Sequence, residues 1–164
     1  MNRFRQLYIE NVDKLYAYLL RKSGNVHLTA DLVQESFARC LERYGSSGSN
    51  SALLFTVGRN LFYDHVRKAN SFIKSKEAFR AELTKSDEAG QEDKYIAEEQ
   101  HRNLLAAIEQ LSDDEQDILA LVLNGNLKYS NIAKIRGCSE SLVKVTVHRA
   151  RKKIRLILKD TEHE

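Results

Sequence analysis

The 164-residue sequence contains no proline. The strongest helix breaker is therefore missing, and chain punctuation falls to glycine, serine and asparagine. Cysteine is nearly as scarce. Cys40 and Cys138 lie far apart, lack the short spacing of a metal site or redox pair, and sit inside apolar patterns that suit reduced thiols. No apolar run reaches the ~18 residues of a membrane-spanning helix, so membrane insertion is not expected. Behind Met1 there is neither an apolar stretch nor a small-residue cleavage site, which argues against a secretory signal and makes the cytoplasm the expected location. Catalytic signatures are missing too: there is no Gly-rich phosphate loop, no GxSxG and no HExxH. His27, His65, His101, His148 and His163 are scattered without ligand spacing. No enzymatic activity, metal or cofactor is expected.

What remains is a chain with 42% hydrophobic and 30% charged residues, enough to bury a core and stay soluble in one ordinary domain or two small ones. The net charge is only +3, but it is unevenly placed. Lys144, Arg149, Arg151, Lys152, Lys153, Arg155 and Lys159 are opposed by no acid between them, whereas Asp87 to Glu99 is acidic. A basic C-terminal surface of this kind suits a polyanion.

Apolar residues recur at helical spacing, and no strand-like alternation of useful length is present, so the fold class is all-α. Phe4, Leu7, Tyr8, Val12, Leu15, Tyr16 and Leu19 mark a first helix that stops near Gly24. Thr29 is the expected cap of a second, whose apolar stripe is Leu32, Val33, Phe37, Cys40, Leu41 and Tyr44. Residues 45–51, GSSGSNS, read as a flexible loop. A third helix follows, from about Ala52 to Ala69, with Leu53, Leu54, Val57, Leu61 and Val66 inward. Periodicity fades from about Ser71 to Lys94. It returns with Ile96, Leu104, Leu105, Ile108 and Leu111, and then with a helix opened by the capping-box pattern SDDE at 112–115. The expected organisation is therefore two small helical domains, 1–70 and 96–160, joined by a flexible linker at 71–95.

The segment YSNIAKIRGCSESLVKVTVHRA (129–150) has helix-turn-helix character. Ala133 is small where two helices must cross, Gly137 supplies a turn that can need positive φ, and Ser139 can cap the next helix. Ile132, Ile135, Leu142, Val143 and Val147 are expected to bury the junction. Glu140, Ser141, Lys144, Thr146, His148, Arg149 and Arg151 are left outward, with a chemistry that suits base edges and phosphates in a major groove. A solvated basic helix on an ordinary bundle would share the charge but not the small-residue, glycine and cap spacing.

Three runs together resemble the extracytoplasmic-function sigma factors of RNA polymerase. DLVQESFAR (31–39) resembles their region 2.2; LFTVGRNLFYDHVRK (54–68) resembles regions 2.3 and 2.4; LSDDEQDIL (111–119) followed by residues 129–151 resembles region 4. The resemblance implies an alternative sigma factor that binds core RNA polymerase and directs promoter recognition and transcription initiation. It implies docking on the β′ clamp helices through Asp31, Gln34, Glu35 and Arg39, and a further contact with the β flap. It implies that the 45–51 loop, with Asn50, and the helix residues Arg59, Asn60, Tyr63, Asp64 and Arg67 melt and read the −10 element. Glu140, Ser141, Lys144, Val145, His148, Arg149 and Arg151 would read the −35 element as duplex. The linker, about residues 73–94, would run through the polymerase channels. The free protein would be a monomer, which an anti-sigma factor can hold.

The sequence also departs from the family pattern. Leu53 stands where tryptophan is usual and Ser112 where proline is usual. Gly58 replaces the common alanine, at a helix-propensity cost of about 1 kcal/mol, and Val145 and Thr146 stand where serine and arginine are frequent. Two other readings stay open at this level: a duplex-binding regulator with a helical sensor or dimerisation domain, and an interaction module that mimics region 4.

Overall fold

The computed structural model describes residues 2–69 and 91–163, with the backbone alone for 91–94. Among the described residues all regular structure is helical. The helices are α1 (Arg3–Ser23), α2 (Val26–Gly48), α3 (Ser51–Ala69), α4 (Gln91–Glu109), α5 (Asp113–Leu123), α6 (Tyr129–Arg136) and α7 (Glu140–Glu162). Most of the expected linker, residues 71–95, lies outside the described residues. Its last five residues belong to α4, which begins at Gln91 rather than near Ile96. No helix among the described residues is long and apolar enough to cross a membrane.

Side-chain caps and left-handed glycines set the helix ends. The Asn2 side chain accepts from the Phe4 amide at 2.9 Å, and Gly24 closes α1 at φ 64°. The expectation for Thr29 is corrected: Asn25 caps α2, accepting from the Leu28 amide at 3.0 Å. Thr29 is instead buried one turn inside, where its hydroxyl donates to the Asn25 carbonyl at 2.7 Å and lies 2.7 Å from the Ser23 hydroxyl. The 45–51 segment is also more ordered than its composition suggests. The helix breaks at Gly45 (φ 70°) and resumes to Gly48. The Ser49 hydroxyl then ties the break, donating to the Gly45 carbonyl at 2.6 Å and the Cys40 carbonyl at 3.2 Å.

Helices α1, α2 and α3 pack on one another around Leu15, Tyr18, Leu19, Leu32, Val33, Phe37, Cys40, Leu54, Phe55 and Phe62. The expected inward stripe of α3 is thus rotated. Leu53, Leu61 and Val66 are only partly buried, and the larger rings of Phe55 and Phe62 take the centre, where they remove more apolar area from water. Tyr8 and Leu41 are largely exposed, although Tyr8 still lies against the Phe37 ring at 4.8 Å. Gly58 has a packing reason. A Cβ there would come within 3.0 Å of Ser36 Oγ and 3.1 Å of Leu15 Cδ1, so the glycine lets α3 approach α1 and α2.

In the second half Ser112 caps α5 as expected, accepting from the Glu115 amide at 3.2 Å, while the Glu115 carboxylate accepts from the Ser112 hydroxyl at 2.9 Å instead of closing the box on the Ser112 amide. Gly137 ends α6 at φ 66°, and Ser139 caps α7, accepting from the Leu142 amide at 3.1 Å. Ile132, Ile135, Val143 and Val147 bury the α6–α7 junction as expected. Leu142 does not: it lies one position off the Val143–Val147–Ala150 stripe and is 50% exposed. Leu111, Leu119, Ala150 and Ile154 form a separate small core that joins the end of α4 and α5 to the far half of α7. Ile96 and Leu104, expected on an apolar stripe, are exposed on α4.

The two halves share one core. Ile118, Leu121, Ile132, Val143 and Val147 are continuous with the Tyr18–Phe55 cluster of the first half. Gly125 lies close against the first half, because a Cβ there would come within 3.1 Å of the Phe55 ring.

Candidate nucleic-acid interface

The seven residues expected on the −35 surface all lie on α7, and all are exposed: Glu140, Ser141, Lys144, Val145, His148, Arg149 and Arg151. The buried spacing Val143, Val147, Ala150 fixes this, since it turns one stripe of α7 inward and leaves the intervening positions to solvent. Thr146 is partly buried and donates back to the Leu142 carbonyl at 2.8 Å. The trailing basic run is not uniform. Lys153 Nζ lies 2.7 Å from Glu115 Oε1, which ties α7 to the first turn of α5. This hydrogen bond from Lys153 holds the Glu115 carboxyl below its ordinary pKa against the opposing effect of burial, with Ser112 assisting.

Asp31, Gln34, Glu35 and Arg39 form one exposed stripe along α2, and Glu35 pairs with Arg39 at 2.6 Å. Spacings of three and four residues place them on a single face.

The residues expected at the −10 element do not share one surface. Asn60 and Asp64 line a cavity of about 160 Å³ between α2 and α3, together with Arg39, Arg43, Val57 and Leu61. Arg67 pairs with Asp64 at the edge of this group. Arg59 and Tyr63 face the other way, toward α1 and α5. Asn50 stands apart from both groups as the cap of α3, its side-chain oxygen accepting from the Leu53 amide at 3.0 Å.

Around Arg59 and Tyr63 is a cluster that the sequence pattern does not single out. Its centre is Asp117 of α5, which is 1% exposed. Lys22 Nζ lies 2.6 Å from Oδ1, Arg59 Nε donates to Oδ2 at 3.1 Å, and Arg136 Nη1 donates to Oδ2 at 2.6 Å. The Tyr18 hydroxyl donates to Oδ1 at 2.7 Å. Lys22 also donates to the Tyr63 hydroxyl at 2.8 Å, and the Arg59 guanidinium sits 4.8 Å from the Tyr63 ring centre. Burial works to raise the Asp117 pKa, but Lys22, then Arg59, with the Tyr18 hydrogen bond, outweigh it and hold the carboxyl below its ordinary range. Burial, and then the Asp117 charge, push the Tyr18 phenol well above its ordinary value. A carboxylate so buried is stable only with such partners. The available signal was positional: Asp117 lies one turn before Leu121 on the apolar face of α5.

Known proteins share this architecture. The profile of the family described as Sigma-70 region 2 matches residues 7–72, and that described as Sigma-70, region 4 matches residues 101–154. The chain is 35% identical over 150 residues to the ECF RNA polymerase sigma factor EcfG of Rhodopseudomonas palustris, a match covering 90% of this chain and 80% of that protein. It is 29% identical to the ECF RNA polymerase sigma factor SigL of Mycobacterium tuberculosis, over 95% of this chain and 89% of the relative. In fold it is similar to the sigma factor RpoE solved in complex with the anti-sigma factor NepR from Bartonella quintana. There the TM-score is 0.63 and the identity 24%, over 97% of this chain and 98% of that one. It is also similar to CnrH solved in complex with the cytosolic domain of CnrY, with a TM-score of 0.62 and 17% identity over 96% and 88% of the chains.

Proposed function

The chain belongs to the ECF RNA polymerase sigma factors, and we propose that three of its faces divide the work of promoter-specific initiation. As an alternative sigma factor it lends core RNA polymerase its promoter choice. The α2 stripe of Asp31, Gln34, Glu35 and Arg39 docks on the β′ clamp helices, where alternating charge suits a reversible, complementary interface. The second half meets the β flap.

Helix α7 reads the −35 element as duplex. Its first turns, with Glu140, Ser141, Lys144 and Val145, enter the major groove, while His148, Arg149 and Arg151 reach base edges and phosphates. The α3 residues Arg59, Asn60, Tyr63, Asp64 and Arg67, with Asn50 at the helix start, take the −10 element as a separated strand. Cations hold its backbone, and Tyr63 offers a ring for a base to stack on. Strand separation on this scheme is driven by binding energy and needs no bond chemistry in this chain.

The observation that carries the reading is the α6–Gly137–α7 unit, with a left-handed glycine, a capping serine and all seven expected residues outward. The similarity in fold to the sigma factor RpoE, solved with the anti-sigma factor NepR, supports an anti-sigma partner for this chain as well. The free protein is a monomer that works in the cytoplasm with the polymerase. The test is co-elution of the purified protein with bacterial core RNA polymerase, followed by footprinting on a randomised promoter library. A one-to-one complex that selects a bipartite promoter is expected. A protein that ignores the polymerase and footprints duplex DNA alone would refute the assignment.

A further inference from the structure

Arg59 and Tyr63 belong to the surface assigned above to single-stranded DNA, yet in this structure they face the second half of the chain. Two cations of the first half, Lys22 and Arg59, converge on Asp117 at 2.6 and 3.1 Å. The Tyr63 ring lies beside both, 5.1 Å from Lys22 Nζ and 4.8 Å from the Arg59 guanidinium. An aromatic face flanked by two cations is the chemistry of a nucleotide site on a single strand: phosphate on the charges, base on the ring. A carboxylate, like a phosphodiester, spreads one negative charge over two oxygens.

We propose that Asp117 occupies the seat of a DNA backbone phosphate, so that the second half of the chain acts as an intramolecular plug on a single-strand site made by Lys22, Arg59 and Tyr63. The inference rests on the −10 reading of α3, and it adds Lys22 of α1 to that site.

The charges are arranged so that the plug can leave. Within the second half Asp117 keeps Arg136, whose Nη1 donates to it at 2.6 Å and whose Nη2 donates to Asp114 at 2.6 Å. Within the first half Lys22 and Arg59 keep Tyr63, through the 2.8 Å hydrogen bond and the ring contact. Parting therefore strands neither a bare buried carboxylate nor bare cations. The hydrogen bond from Tyr18 and the Phe55–Gly125 contact hold the halves together until a polyanion competes. Asp117→Asn would leave Lys22, Arg59 and Arg136 facing one another without their anion, which favours the open form.

The test uses the full chain without polymerase, a fluorescein-labelled single-stranded oligonucleotide, and anisotropy as the readout. Because the closed form lowers apparent affinity by the fraction of open molecules, Asp117→Asn is expected to tighten binding at least about tenfold. Tyr18→Phe keeps the core ring, removes one hydrogen bond across the junction, and is expected to tighten binding by about fivefold. Adding Lys22→Ala to either variant is expected to cancel the gain, and small-angle scattering should show a larger radius of gyration for Asp117→Asn. If Asp117→Asn loses its helical circular dichroism, Tyr18→Phe carries the test. Folded variants that bind the oligonucleotide no better than the parent overturn the plug. Co-elution with core polymerase is measured in parallel. A chain that docks and initiates while its variants gain nothing loses the plug and keeps the sigma assignment. A chain that never docks, but whose variants gain affinity, loses the −10 role and keeps the plug.

Discussion

Replacing Gly58 by alanine sets two effects of known sign against each other. In the middle of a helix the change gains about 1 kcal/mol of propensity. At this position, however, the new Cβ would meet Ser36 Oγ at 3.0 Å and Leu15 Cδ1 at 3.1 Å, both in the interior where α1, α2 and α3 cross. Overpacking of a fixed core costs about 1–3 kcal/mol. The net expectation for Gly58→Ala is destabilisation by about 1 kcal/mol. The leucine methyl is the end of a flexible side chain. The serine oxygen is held by its own hydrogen bond to the Leu32 carbonyl at 2.6 Å, so Ser36→Ala should remove the tighter obstacle at small cost, because a back-bond of this kind stabilises a helix little. The double variant should return to at least the parent's stability. Urea unfolding followed by helical circular dichroism reads this directly: with a slope of about 2 kcal/mol per molar, the single variant shifts the midpoint down by about 0.5 M. A single variant more stable than the parent, or a double variant no better than Gly58→Ala, would refute the account of how α3 is seated.

Alanine at Lys144 and at Arg149 should weaken the upstream promoter element alone, and removing one phosphate-neutralising cation should flatten the plot of log affinity against log salt by about 0.9; an equal effect at both elements would sink the α7 assignment. Lysine at Asp31 and Glu35 together should abolish co-elution with core polymerase while leaving the helical spectrum unchanged. Glu115 and Asp117 both have lowered pKa values, so their contribution to stability is full above about pH 4.5 and is lost as the pH falls through their folded-state values. Urea midpoints taken at pH 7 and in mild acid should show that loss, and Lys153→Met should shrink it.

Among the described residues, the all-helical character, the helix-turn-helix and most of the outward face of α7 were legible in the sequence, because each rests on short-range rules: apolar spacing, a turn glycine and capping residues. Errors arose where two neighbours compete for one role. Asn25 and Thr29 can both cap, and the choice fell to Asn25 because Thr29 is drawn inward by Ser23. Leu142 fits an apolar pattern, yet it misses the buried stripe by one position, which on a helix is about 100°. Phe55 and Phe62 displaced the smaller residues expected inward on α3, since ring volume decides the centre of a small core. The Asp117 cluster was the least legible feature. Its members come from α1, α3, α5 and α6, and nothing local marks Lys22 or Arg136 as partners of a carboxylate 95 or 19 residues away along the chain. The α3 residues expected at the −10 element likewise share one helix but face two directions, which becomes visible only once the second half is in place.

Helix α7 is also a lever. At 1.5 Å per residue its 23 residues make a rod about 34 Å long, roughly the pitch of a DNA turn. Its far half is gripped through Ala150 and Ile154 by Leu111 and Leu119, and Lys153 is moored to Glu115 at the start of α5. Glu140 lies about 21 Å along the axis from Ile154, so a tilt of about 5° at that grip moves the N-terminal end of α7 by about 2 Å. Hydrogen bonds to base edges tolerate only a few tenths of an ångström. On the proposed −35 role of α7, residues of this small apolar core set the angle at which the helix would meet DNA, and substitutions at Leu111 or Ile154 would alter promoter preference without changing a proposed contact.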